Sequence, residues 1–139
     1  VHNTRHPNSR YRGDNPISIG LTAHYDKMRA EMGDHLPDGI AGESIIIDCD
    51  TIYTSETLNQ RIAIKSQNDS TLIYMNEVIP IPPCEPFSRF ARARKLSPQE
   101  TKSTLQFLSD GTRGFYLKLE NDTKNVIVQT GDAVYLVTD

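Results

Sequence analysis

The sequence predicts a mainly β fold, a barrel or closed sheet with a few inserted helices. Three observations predict it: short β-branched runs bounded by turn residues, only two clear helical patterns, and no long apolar segment. At least six short strands against two or three helices fit poorly with a doubly wound parallel sheet. A chain of 139 residues suits one domain. That length buries roughly two thirds of the unfolded surface and needs no disulfide or metal staple.

Residues 1–16 are polar, rich in Asn, Arg and Pro, and without periodicity; they read as an extended N-terminal segment ahead of a single domain over 17–139. Arg12-Gly13-Asp14 within that segment reads as a turn. Leu21, Tyr25, Met28 and Met32 then recur at helical spacing among charged residues, and Gly33 suits the helix stop. Asp34 to Gly42, with Pro37, Gly39 and Gly42, reads as a loop. Ser44 to Asp48 is a β-branched run that predicts a buried strand.

A second strand is expected around Ile62 and Ile64, a turn at Gln67-Asn68-Asp69-Ser70, and a returning strand from Thr71 to Val78. The pattern breaks at Ile79-Pro80-Ile81-Pro82-Pro83, where three prolines in four positions remove backbone donors and stiffen the chain. Ser97, Pro98 and Glu100 spell a capping box opening a helix that carries Leu105 and Leu108 and closes at Gly111. The last third predicts strands over Arg113–Leu119, Asn125–Val128 and Ala133–Val137, with turns at Glu120–Thr123 and Thr130–Asp132.

Charge and composition exclude several classes. The net charge of −3 and isoelectric point near 5.8 argue against a general nucleic-acid binder. No apolar run approaches the ~20 residues that span a bilayer, and the first fifteen residues have no secretory character, so a cytoplasmic protein with reduced thiols and no membrane partner is expected. The four histidines show no metal-ligand spacing with a cysteine, and neither a Ser-His-Asp arrangement nor a glycine-rich phosphate loop is evident. The two cysteines, Cys49 and Cys84, do not make a disulfide framework.

Four pieces in order resemble one family. Asp38-Gly39-Ile40-Ala41-Gly42-Glu43-Ser44 leads into an apolar strand. Pro83-Cys84-Glu85-Pro86-Phe87-Ser88-Arg89-Phe90 places a cysteine ahead of an Arg-Phe pair. Gly111-Thr112-Arg113-Gly114-Phe115-Tyr116 and Gly131-Asp132-Ala133-Val134-Tyr135-Leu136 complete the set. Over roughly residues 17–138 the chain resembles the MOSC domain, the C-terminal module of molybdenum cofactor sulfurases, in a small stand-alone format of bacterial type. It departs from the family at Ser44, where Asn is common, and in lacking the Gly-Asp-Arg segment near the start of many relatives.

The resemblance implies a closed β-barrel of mostly antiparallel strands. It also implies a function tied to the molybdenum cofactor (molybdopterin), either carrying sulfur destined for it or binding it to reduce N-hydroxylated compounds. Cys84 would be the reactive residue, ligating molybdenum or carrying a persulfide. The partners implied are the cofactor and a cysteine desulfurase or an electron-donor protein.

The residues themselves bear on that chemistry. A thiolate is the form that ligates a soft metal or accepts sulfur, and the prolines before Cys84 would hold it on a stiff backbone. The alternative is a small buried hydrophobe. Arg89 and Arg92 are three apart and share a helical face, suited either to a phosphate tail or to solvent, whereas Arg94 points elsewhere; Arg94 and Lys95 are the weaker candidates for anion contact. Arg113 suits an anion pocket or a structural ion pair. Gly114 permits close approach of a ligand or a neighbouring strand. Cys49, between Asp48 and Asp50, reads as structural. The rival reading is a non-catalytic barrel that binds a small anion or a protein partner through the Arg89–Lys95 surface.

Overall fold

The computed structural model describes residues 17–120 and 127–138. The expected extended segment 1–16, with its Arg-Gly-Asp turn, lies outside the described residues, as do most of the turn at 120–123 and the first half of the strand expected at 125–128. Positions 127 and 128 are not in a strand.

The chain opens with strand β1 (Ile17–Leu21), which turns directly into helix α1 (Thr22–Met32). Leu21 therefore ends a strand rather than beginning the helix. The alternation Ile17-Ser18-Ile19-Gly20-Leu21 is short, and its last apolar residue merges with the helical stripe at Tyr25 and Met28. Gly33 stops α1 as expected, with φ +119 and its N–H bonded to the Arg29 carbonyl at 2.8 Å.

Strand β2 (Ile45–Ile47) follows the loop and pairs with β1 in parallel, Ile19 opposite Ile45. Parallel neighbours need a crossover connection, and α1 supplies it. β2 is half-buried rather than buried, because it lies at the sheet edge with a strand on one side only. Ser44 joins the two strands: its N–H reaches the Ser18 carbonyl and hydroxyl, each at 3.0 Å.

β3 (Arg61–Lys65) and β4 (Leu72–Pro80) form the expected hairpin. β4 continues past the expected break through Pro80, because a bulge between Asn76 and Ile79 restores register with β5 (Phe115–Leu119). Glu77, at φ +52, forms that bulge. β6 (Ala133–Val137) pairs with β3.

The sheet order is β2-β1-β5-β4-β3-β6, with one parallel join (β1–β2) and antiparallel joins elsewhere. This corrects the closed barrel of mostly antiparallel strands: the sheet is mixed and curls into an open half-barrel. Its two edges, the three-residue β2 and the separate β6, share no register among the described residues, so the ring does not close.

Two helices fill the gap between β4 and β5: α2 (Glu85–Arg92) and α3 (Pro98–Leu108). The capping box is present in α3, where the Ser97 hydroxyl accepts the Glu100 N–H at 3.1 Å. One apolar cluster lies on the sheet, around Ile19, Ile62, Ile64, Met75, Phe115 and Leu117. A second joins the helices through Tyr25, Met28, Leu36, Ala91 and Leu108, with Phe87 against it. Each large apolar side chain so buried contributes about 1.5–3 kcal/mol.

Candidate functional site

Cys84 is the residue immediately before α2, with extended backbone (φ −126, ψ 151) and a half-buried side chain. Its carbonyl accepts the Ser88 N–H at 3.0 Å and the Ser88 hydroxyl at 2.9 Å, which ties it to the first turn. Pro82 and Pro83 bring no N–H of their own to this approach. The last backbone donor before them, the Ile81 N–H, bonds to the Gly114 carbonyl at 2.9 Å.

Gly114 is required where it stands. Its φ is +109, and a Cβ there would come within 2.4 Å of the Ile19 carbonyl oxygen. Of the two uses open to it, the close approach is to a neighbouring strand. Gly111 is similarly constrained, since a Cβ would come within 2.2 Å of the Phe115 ring.

Arg113 is where the first three resembling segments meet. Its guanidinium donates to Glu43 Oε1 at 3.2 Å and to the Ala41 carbonyl at 3.0 Å, and it lies 4.6 Å from the centroid of the Phe87 ring. Ala41 and Glu43 belong to the first segment, Phe87 to the second and Arg113 to the third. The fourth segment lies elsewhere: Asp132 accepts the Gln67 N–H at 3.1 Å and closes its own turn by accepting the Gln129 N–H at 3.0 Å.

The Glu43 side chain is 1% exposed and that of Arg113 is 13% exposed, so the pair is largely desolvated. Tyr25 completes the network: its hydroxyl donates to the Glu43 carboxylate, 2.8 Å from both oxygens, and accepts the Ala41 N–H at 3.2 Å. Burial, with the Glu43 charge beside it, pushes the Tyr25 phenol well above its ordinary range, so it stays a donor. Tyr25 and Glu43 were missed as site residues. The helical stripe accounts for Tyr25 as core, and nothing local distinguishes a buried carboxylate from a solvated one.

The other arginines divide by helix face. Arg92 turns inward, donating to the Thr104 hydroxyl at 3.1 Å and to Glu31 at 3.2 Å, so it links α1, α2 and α3. Arg89 turns outward and pairs with Glu85 on the same helix, while Arg94 pairs with Glu100. The shared face expected for Arg89 and Arg92 therefore splits into an outer and an inner position. Phe90, between them, is 51% exposed.

A molybdopterin would need a ligand for its metal and a holder for its phosphate tail. The Cys84 thiol suits a soft metal or a sulfur atom. The arginines suit a phosphate tail less well, because Arg92 and Arg113 already hold carboxylates and a phosphate would have to displace one of them. Among the described residues, Arg89 is the one of these three arginines that sits on the surface and pairs within its own helix.

Cys49 stands apart from this region. It packs against the sheet cluster, and its N–H donates to the Thr22 hydroxyl at 3.0 Å. A shallow hollow on α3 is lined by Pro98, Thr101, Lys102, Leu105, Gln106 and Ser109, none of them expected from the sequence to be a site residue.

His24 is a further buried polar node. Its Nδ1–H donates to the Gly111 carbonyl and its Nε2 accepts the Tyr53 N–H, both at 2.8 Å, which requires the neutral ring. Burial, reinforced by nearby Lys27, holds its pKa below the usual histidine range.

No helix among the described residues is long and apolar enough to cross a membrane. Compared with protein-family models, curated proteins and solved structures, the chain matches none.

Proposed function

We propose that this chain is a MOSC-type module associated with the molybdenum cofactor, and that it carries sulfur through Cys84. The observation that carries the reading is the convergence at Arg113 of three segments that resemble the family, one of them the segment that bears Cys84. Between the family's two chemistries, sulfur carriage is favoured. It needs a partly accessible thiol and a donor protein, whereas a bound cofactor needs an anion site that Arg92 and Arg113 do not leave open.

The step balances without an added oxidant or reductant. The Cys84 thiolate attacks the terminal sulfur of a persulfide on a donor cysteine, such as that of a cysteine desulfurase. The new Sγ–S bond forms as the donor's S–S bond breaks. The donor cysteine leaves as a thiolate and receives the proton that Cys84 gave up. Onward transfer to an acceptor returns Cys84 to the thiol.

Intact-mass measurement after incubation with a low-molecular-weight persulfide tests this. The parent and Cys49→Ala should each gain one reductant-labile sulfur, and Cys84→Ala should gain none. Loading on Cys49, or on neither cysteine, overturns the reading. Molybdenum bound to the parent and lost in Cys84→Ala, measured after anaerobic purification from a cofactor-producing host, would replace carriage with metal ligation.

A further inference from the structure

We infer that Glu43, acting through Arg113, is a positioning residue that sets where Cys84 sits; the inference rests on the reading of Cys84 as the sulfur carrier. The segment bearing the cysteine is held at two points on the adjacent residues Arg113 and Gly114. On the N-terminal side, the Ile81 N–H bonds to the Gly114 carbonyl at 2.9 Å. On the C-terminal side, Phe87 lies against the Arg113 guanidinium, 4.6 Å from ring centroid to Cζ. Cys84 stands midway, and between the first anchor and the thiol the chain passes through Pro82 and Pro83, which restrict its freedom to swing.

The position of the guanidinium is therefore the position of the second anchor, and Glu43 determines it. An arginine on a mobile side chain would not define a site. This one is fixed by a buried carboxylate, itself held by the Tyr25 hydroxyl, and by the Ala41 carbonyl. The network is satisfied at each point named, so its rigidity passes along the chain Tyr25, Glu43, Arg113, Phe87 to the first turn of α2. Sulfur transfer requires the thiolate to approach along the axis of the bond being broken, and such reactions lose rate steeply when the nucleophile is displaced.

A structural role alone and a positioning role separate in the double variant Glu43→Gln/Arg113→Gln. Removing both charges leaves no unpaired buried ion, so the melting temperature should lie closer to that of the parent than either single variant's does. It also removes the cation over Phe87. We expect its Cys84 to load sulfur from a low-molecular-weight persulfide about tenfold to a hundredfold more slowly than the parent's. Phe87→Leu, which keeps apolar packing but removes the ring, should slow loading in the same direction and serves if the double variant does not fold.

Parent-like loading by a folded double variant, or by Phe87→Leu, overturns the inference. Alkylation of Cys84 by iodoacetamide is read in parallel. If the parent alkylates but never takes up sulfur, the sulfur-carrier reading fails on its own. The alkylation rates then decide the positioning claim, an altered rate in the variants supporting it and an unaltered one overturning it.

Discussion

The buried end of the molecule around Arg113 and the outer face of α2 use the same residue type to opposite effect. Arg113 and Arg92 have side chains only 13% and 18% exposed, and each bridges separate elements through a carboxylate. Arg89 is 58% exposed and pairs with Glu85 within its own helix. In the first setting the Arg113–Glu43 pair has both ions taken out of water, so each depends on the other and on accurate geometry, whereas Arg92 is inward but its partner Glu31 is 48% exposed. In the second, water screens the pair and can replace either partner. Arginines crowded together in the sequence are thus not one functional patch: Arg89 and Arg92 lie three residues apart and answer to different environments.

The sharpest way to break this comparison is Arg113→Ala. It strands the Glu43 carboxylate in the interior and should cost about 3–5 kcal/mol by urea denaturation. A loss under about 1 kcal/mol would mean that Glu43 gains water or a proton at little cost and that the region is not a desolvated clamp. Gly114→Ala comes next. It places a Cβ against the Ile19 carbonyl at φ +109, and a cost of about 1–3 kcal/mol is expected from backbone strain, with the clash adding to it. A neutral result would show that β1 and the Gly111–Gly114 turn can separate at little cost.

The pH dependence of stability sharpens the buried side further. His24 has an ordinary value of 6.5 when unfolded and a lowered one when folded. Between those values the unfolded chain binds the extra proton and the folded chain does not. Stability is therefore fully present above about pH 6.5 and is lost as pH falls through the folded pKa, with a slope no steeper than about 1.4 kcal/mol per pH unit from this group. Urea midpoints for the parent and His24→Gln measured from about pH 7.5 to 5 should diverge in slope over this window. Equal slopes would show that the His24 ring takes up a proton without disturbing its bonds to Gly111 and Tyr53.

The smallest effect belongs to the outer face. Arg89→Ala should change stability by less than about 0.5 kcal/mol, measured by the same denaturation. A loss comparable to that of Arg113→Ala would erase the distinction between the two regions.

Much of the fold was legible because its signals are local. Gly33 after the α1 stripe, Ser97-Pro98-Glu100 before α3, and the turn between β3 and β4 each depend on residues a few positions apart. The misreadings have the opposite cause. β1 is too short to separate from the helix that follows it, and without β1 neither the parallel join to β2 nor the open sheet can be foreseen. The extension of β4 to Pro80 depends on a bulge that brings Ile79 opposite Tyr116. Within the candidate site, the importance of Arg113 and Gly114 could be read from an Arg-Gly pair at a strand entry. Tyr25 and Glu43 could not, since a tyrosine on an apolar stripe and a glutamate in a glycine loop carry no mark of each other.

By itself the sequence determined where most helices and strands form, where they stop, and that Cys84 follows a stiff proline approach. These depend on backbone sterics, capping and side-chain periodicity, all of which act between near neighbours. Only the tertiary structure decided which arginines face inward, that the sheet stays open, and that Glu43 meets Arg113 across a separation of 70 residues. Burial of a charge is a property of everything packed around it, and no short stretch of chain contains that information.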